Sequence, residues 1–236
     1  MSLPQTLRFA YLIEPPFCYR TADGTVTGHD VEIARALLPR LGIPQIAFIE
    51  AEFADLLEGL AQNRWDIVTG LFITPERQQR VRFSQPIWAL TDGLLVRRAQ
   101  AAAITGYRAL AAATDLRLAV VRDQVQHRTA LALGIPAARI EVFPTYAAAA
   151  EAVAQGHADA YASVALAHAG HLAQHPAPDL AIVPVPPEEK PAEAGGFAVA
   201  QSAARLQTAI DAALAGFIGS PEHRAIAARF GMPGPR

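Results

Sequence analysis

Short apolar runs of strand length alternate with helix-compatible segments along nearly the whole chain. That alternation restricts the fold more than any other feature. Strand-like runs stand at residues 7–13 (LRFAYLI), 46–49, 65–69 (WDIVT), 116–121 (LRLAVV), 140–143 and 158–162. Between them lie helix-like segments, among them 30–41, 53–61 and two more in the stretch from about 203 to 230. Such a pattern predicts an α/β protein with largely parallel sheets. Asp30 is read as the cap of the first helix, which Gly42 ends with Pro44 just beyond.

The chain has 236 residues, of which 52% are hydrophobic and 18% charged, and a formal net charge of -2. That length is enough for one large domain or two small ones, each with its own core. Near-neutral, interspersed charge gives no general electrostatic reason to bind nucleic acid or an anionic membrane. A single cysteine, Cys18, excludes an internal disulfide. No apolar run approaches the roughly 20 residues that span a bilayer. The start, MSLPQTLRF, has no secretory apolar region, and Met1, Ser2 and Leu3 are read as a remnant at the point of signal removal.

A weak internal echo favours two similarly built lobes. Residues 58–70 (EGLAQNRWDIVTG) align without a gap on 151–163 (EAVAQGHADAYAS), with four of thirteen positions identical, Asp66 and Asp159 among them. Each copy reads as helix, tight turn and strand. The matching aspartates are read as structural hydrogen-bonding groups.

Residues 70–77 (GLFITPER) form the junction with the most chemical content. Thr74 and Pro75 read as N-cap and first helical residue. Arg77 then falls in the first turn, where the helix dipole disfavours a cation. A cation so placed is either solvated or set to meet an anion. Glu14 stands where the first strand ends, a usual place for ligand contacts in α/β proteins.

Taken in order, several segments carry a resemblance. They are 14–17 (EPPF), 23–34 (DGTVTGHDVEIA), 65–70, 73–77 (ITPER), 81–86 (VRFSQP), 94–97 (LLVR), 155–160 (QGHADA) and 196–199 (GFAV). Together they resemble the polar amino-acid family of bacterial extracellular solute-binding proteins, the receptors that feed ABC importers. The likeness covers essentially the whole chain. It implies a two-lobed periplasmic-binding-protein type II fold with two hinge crossovers. Lobe 1 is expected to comprise residues 1–97 plus 197–236, and lobe 2 residues 98–196. Hinges are expected near Arg97 and in the Pro-rich 184–196 stretch, with ligand captured in the interlobe cleft by lobe closure.

The resemblance also implies site residues. Arg77 would hold the ligand carboxylate bidentately, with backbone donors near Gly70 accessible because glycine has no Cβ. Glu14 would attract a cationic group, and Phe17, Phe53 and Phe72 would form an apolar, cation-attracting wall. In type and spacing this set is similar to that of ectoine and hydroxyectoine receptors, whose ligands are cyclic zwitterions. The family's usual ammonium partner, a second-lobe Asp, falls here at Val164. Residues 121–125 (VRDQV) also depart from the usual Gly-Thr pair. Asp123, Gln124, Ser163 and Trp88 are the candidates for the remaining, second-lobe contacts.

The partners this implies are a small zwitterion and a membrane permease, with the chain acting as a monomer in the periplasm or outside the cell. No cofactor, metal or nucleic acid is implied. His168, His171 and His175 share one helical face and are read as a solvated surface rather than a metal site. Catalysis is not expected, although cyclohexadienyl dehydratase-like enzymes use this fold and Glu14 opposite Arg77 is the pair they would need. A ligand-binding sensor domain of a membrane receptor is the remaining alternative.

Overall fold

The computed structural model describes residues 3–232, so Met1 and Ser2 of the remnant lie outside it. In chain order the first strands are β1 (Thr6–Tyr11), β2 (Tyr19–Arg20), β3 (Val26–Thr27), β4 (Gln45–Glu50), β5 (Ile67–Phe72), β6 (Val81–Phe83) and β7 (Trp88–Leu90). They are followed by β8 (Asp92–Arg97), β9 (Leu118–Val121), β10 (Ile140–Phe143), β11 (Ala160–Val164), β12 (Leu180–Pro184) and β13 (Glu193–Ala200). The helices are α1 (His29–Leu37), α2 (Leu56–Ala61), α3 (Pro75–Gln78), α4 (Tyr107–Ala112), α5 (Val125–Ala132), α6 (Tyr146–Ala154), α7 (Ala165–Gln174), α8 (Ala204–Phe217) and α9 (Pro221–Arg229). None is long and apolar enough to cross a membrane, among the described residues.

Two compact units result. One runs to Ala89 and resumes at Ala194; the other is Leu90–Glu193. The passages therefore fall at 89/90 and 193/194, not at 97 and 197 as expected. The cause is β8, which pairs antiparallel with both β11 and β12 and so belongs wholly to the second unit. Arg97 consequently ends a sheet strand and is not a free linker.

The first unit's sheet has the order β4-β1-β5-β13-β6, with β7 also on β13. Strands β4, β1 and β5 are parallel, whereas β13 runs antiparallel to β5 and β6. The VRFSQP motif finds its use here. Ser84 N donates to Phe197 O at 2.8 Å, and Ser84 Oγ accepts from Phe197 N at 3.1 Å, extending the β6–β13 pairing. The core places Phe9 edge-on to Phe48 and Phe197, with ring centroids 5.5 and 5.8 Å away.

The second unit repeats the plan, in the order β10-β9-β11-β8-β12, with β10, β9 and β11 parallel. Leu94, Val96, Tyr107, Leu118, Val120 and Ala160 are at its core. Both sheets are thus mixed, not largely parallel: three parallel strands are completed by antiparallel ones.

The echo between residues 58–70 and 151–163 has a physical counterpart. Asn63 and Gly156 both turn the chain with positive φ, 56° and 77°. Asp66 accepts from Arg8 N at 2.8 Å, and Asp159 accepts from Arg117 N at 2.9 Å. In return, the amide of each aspartate donates to the carbonyl of the same arginine at 2.9 Å. Each Asp also meets a guanidinium, that of Arg8 at 2.7 Å for Asp66 and that of Arg97 at 2.8 Å for Asp159. The structural role read for the two aspartates is the one the fold gives them.

Burial alone would raise the Asp66 pKa, but the Arg8 guanidinium and amide outweigh it and hold the carboxyl below its ordinary 3.8. A depressed folded pKa stabilises above the unfolded value, and the contribution is lost as pH falls through the folded one. Asp66→Asn should therefore lower the unfolding free energy at pH 7 by about 1–2 kcal/mol, discounted for partial exposure. The deficit should shrink as urea titrations are taken below pH 3.8. A deficit independent of pH would show that charge plays no part.

Candidate functional site

The GLFITPER junction folds as its chemistry requires. After β5, Thr74 adopts an extended backbone and its Oγ1 accepts from Arg77 N at 3.2 Å, with Pro75 at the first helical position. Arg77 thus leaves the first turn of a four-residue helix, and its side chain folds back under the strand end. Nη1 donates to Phe72 O at 3.1 Å, and Cζ lies 5.4 Å from the centre of the Phe53 ring. The residue is only 6% exposed. A guanidinium buried this deep keeps its charge and needs acceptors for its five donors. Gly70 has φ +80°, and a Cβ there would stand 2.8 Å from Leu12 Cδ2. The left-handed backbone conformation already favours glycine here, independently of any ligand.

A second segment belongs to the same unit. Residues 14–18 make a tight turn, in which Phe17 N and Cys18 N donate to Glu14 O at 3.0 and 3.1 Å. The turn is held by the start of α1, where His29 N donates to Pro16 O at 2.9 Å and Asp30 N to Phe17 O at 3.1 Å. Glu14, Phe17, Phe53 and Phe72 are all buried. Burial pushes the Cys18 thiol well above its ordinary value, with the nearby Asp30 and Glu14 carboxylates adding to the effect.

Trp88 completes the aromatic group. Its ring lies 6.0 Å from that of Phe17, tilted by 44°, and 5.3 Å from that of Phe72, nearly perpendicular at 87°. It belongs to the first unit, so it is not a second-lobe contact as expected. Nε1 donates to Asp30 Oδ2 at 3.2 Å.

That bond corrects the reading of Asp30 as a helix cap. Gly28 occupies the cap position, and Asp30 is the second helical residue, wholly buried. Its carboxylate also accepts from Thr69 Oγ1 and, at 2.7 Å, from His29 Nδ1. The available signal for Trp88 was the double glycine inside a strand, which marks a close approach to the backbone. A Cβ on Gly195 would fall 1.9 Å from the Trp88 ring.

The other candidates lie in the second unit. Asp123 is exposed with φ 64°, and Ser163 is buried in β11. Gln124 is buried before α5, and its Oε1 has no hydrogen-bond partner among the described residues. The solvated-face reading of the three histidines fails at His168, which is wholly buried. Tyr146 Oη donates to its Nδ1 at 2.5 Å, and its Nε2 donates to Gly93 O at 3.1 Å. Burial lowers its pKa to about 3, so the ring is neutral and structural. His171 stacks on His175 with centroids 4.7 Å apart. Among the described residues, no three His, Cys, Asp or Glu side chains come together as a metal site.

Residues 7–233 match the bacterial extracellular solute-binding proteins, family 3, and the chain belongs to that family. Among curated relatives it is 34% identical over 155 residues to a probable amino-acid ABC transporter periplasmic-binding protein, y4tE, of Sinorhizobium fredii. That alignment covers 64% of this chain and 51% of the relative, so the chain spans about half of that protein's length. Among solved structures, EhuB in complex with hydroxyectoine superposes with a TM-score of 0.89 at 27% identity, covering 97% of this chain and 89% of that one. The ancestral amino acid-binding protein AncCDT-1, described as a precursor of cyclohexadienyl dehydratase, gives 0.83 at 25% identity, covering 96% and 95%. The two units have the type II architecture of these binding proteins.

Replacing Gly195 with Ala should push the indole out of its seat. We expect a loss of about 1–3 kcal/mol in urea unfolding, the usual cost of overpacking. Near-UV circular dichroism should change while the far-UV spectrum is kept. An unaltered near-UV spectrum would show that Trp88 does not rest on this glycine.

Proposed function

We propose that this chain is the solute-binding receptor of an ABC importer, working as a monomer outside the cytoplasmic membrane and handing its ligand to a membrane permease. The ligand is a small zwitterion of the amino-acid or ectoine-like class. Arg77 takes its carboxylate in a bidentate pair and Glu14 its cationic end. Phe17, Phe53 and Phe72 offer apolar faces that attract a delocalised cation.

One observation carries this reading. A buried arginine, tied to Phe72 O at 3.1 Å and lying over Phe53, is set in the same unit as the buried Glu14. Two opposite charges held among aromatic rings suit a molecule with both charges and a flat ring between them. The likeness to EhuB, solved with hydroxyectoine, supports the ectoine-like side of the class. Val164, standing where the family's ammonium-binding Asp is expected, supports it as well. The chain acts as a binder and not a catalyst, in keeping with AncCDT-1, itself described as an amino acid-binding protein.

Isothermal calorimetry with ectoine, hydroxyectoine, proline, betaine, glutamate and arginine tests the class. At least one cyclic zwitterion should bind, and Arg77→Ala should weaken it by about 2 kcal/mol or more, roughly 30-fold in Kd. Tight binding of glutamate or arginine, with none of the cyclic ligands, would overturn the ectoine-like assignment. Turnover of prephenate or arogenate would replace the receptor by an enzyme.

A further inference from the structure

Glu14 and Arg77 account for a ligand's charges, but they do not account for Trp88. The indole touches Phe17 and Phe72, and nothing in the two-charge reading needs it. Its own supports are unusually complete. Nε1 is held by Asp30 Oδ2 at 3.2 Å, and the six-membered ring rests where a Gly195 side chain would otherwise be. The perpendicular Phe72 ring closes another side at 5.3 Å.

Asp30 in turn holds more than the indole. Its amide donates to Phe17 O at 3.1 Å, so one residue fixes the backbone of one aromatic wall and the ring orientation of another. Thr69 Oγ1, donating to the same Oδ2, and His29 Nδ1, 2.7 Å from Oδ1, keep the carboxylate from rotating. Thr69 stands next to Gly70 in β5, three residues before Phe72, which ends the strand.

We propose that Trp88 is a specificity-determining residue of the binding box and that Asp30 is the positioning residue that sets it, so that the box takes flat, delocalised cyclic cations in preference to open-chain ammonium ions. This rests on the receptor reading above and deepens it. An indole presents the widest and most electron-rich face of the natural side chains, which favours a spread-out cation. By fixing the spacing of Phe17 and Phe72, it also selects for ligand thickness. A compact ammonium gains less from such faces and needs a localised carboxylate instead.

The test is a double-mutant cycle in ligand affinity. Calorimetry with ectoine and hydroxyectoine is run on the full chain, on Asp30→Ala, on Trp88→Phe and on the double variant. Trp88→Phe keeps an aromatic ring but lacks the N–H that Asp30 holds. Each single variant should bind about tenfold or more weakly, the scale for losing an aromatic anchor. The double variant should be little worse than either single one, because Asp30 acts through the indole. Asp30→Asn keeps an acceptor for Nε1 and should restore most of the affinity. In a Trp65→Phe background, ligand should alter the Trp88 emission, and Asp30→Ala should shift it before ligand is added.

Additive losses, or an Asp30→Ala variant that binds like the parent, would overturn the proposal. Should Asp30→Ala fail to fold by far-UV circular dichroism, Thr69→Val takes its place in the cycle, with the same non-additivity expected and additivity again overturning it. If the parent chain binds neither ligand, the ectoine-like assignment fails and this proposal falls with it. If Arg77→Ala abolishes binding while the Asp30 and Trp88 variants do not weaken it, only this proposal fails.

Discussion

A wholly buried carboxylate organises the first unit, and the rest of its candidate site depends on how that charge is met. Taking a carboxylate out of water is costly unless hydrogen bonds replace its hydration. Asp30 obtains them from His29, from Thr69 on β5 and from the Trp88 indole. It also sits in the first turn of α1, where the helix dipole favours an anion. Each partner comes from a different element, so satisfying one charge ties α1, β5 and β7 together. The turn carrying Glu14 and Phe17 is joined to the same point through the amides of His29 and Asp30.

The second unit solves the equivalent problem with different atoms. Gln126 is the second residue of α5, as Asp30 is of α1. Its Nε2 donates to Asp92 Oδ1 at 2.9 Å, while Tyr107 Oη donates to Oδ2 at 2.6 Å. Burial raises the Asp92 carboxyl, an effect only partly offset by those hydrogen bonds. In both units, the second residue of a helix, α1 in one and α5 in the other, holds a side chain close in sequence to where the chain passes between units. The two aspartate clamps, Asp66 and Asp159, repeat the same way.

What the sequence disclosed depended on whether the governing contacts were local. Thr74, Pro75 and Arg77 interact within four residues, so the helix start was legible and is found as read. The α/β class and the approximate places of the longer strands followed from apolar runs. Asp30 was misread because its acceptor role depends on Thr69 and Trp88, 39 and 58 residues away, and a capping rule cannot see them. His168 was misread for a related reason. Its spacing described one helix face correctly, but that face meets Tyr146 and the carbonyl of Gly93 instead of water. Strands β6 and β7 have three residues each, too few for a periodic signal. The unit boundary was misplaced because β8 was credited to the first lobe, although its pairing lies with β11 and β12.

This difference between local and distant contacts bears on how such a binding site can change. The arginine end is built from one cap, one proline and one return hydrogen bond, so nearly any disturbance there removes the group itself. The aromatic end is held by residues remote in sequence: Asp30 on a helix, Thr69 on a strand, Gly195 on another. Those supports hold the Trp88 ring, directly or through Asp30, whereas the hydrogen bond of Arg77 to Phe72 O does not involve them. In the proposed reading, the arginine end is therefore the locally built half of the site, and ring spacing is the half open to tuning. On that reading the Asp30–Trp88 bond, which joins a helix to a strand 58 residues away, is the point at which ring spacing would be tuned.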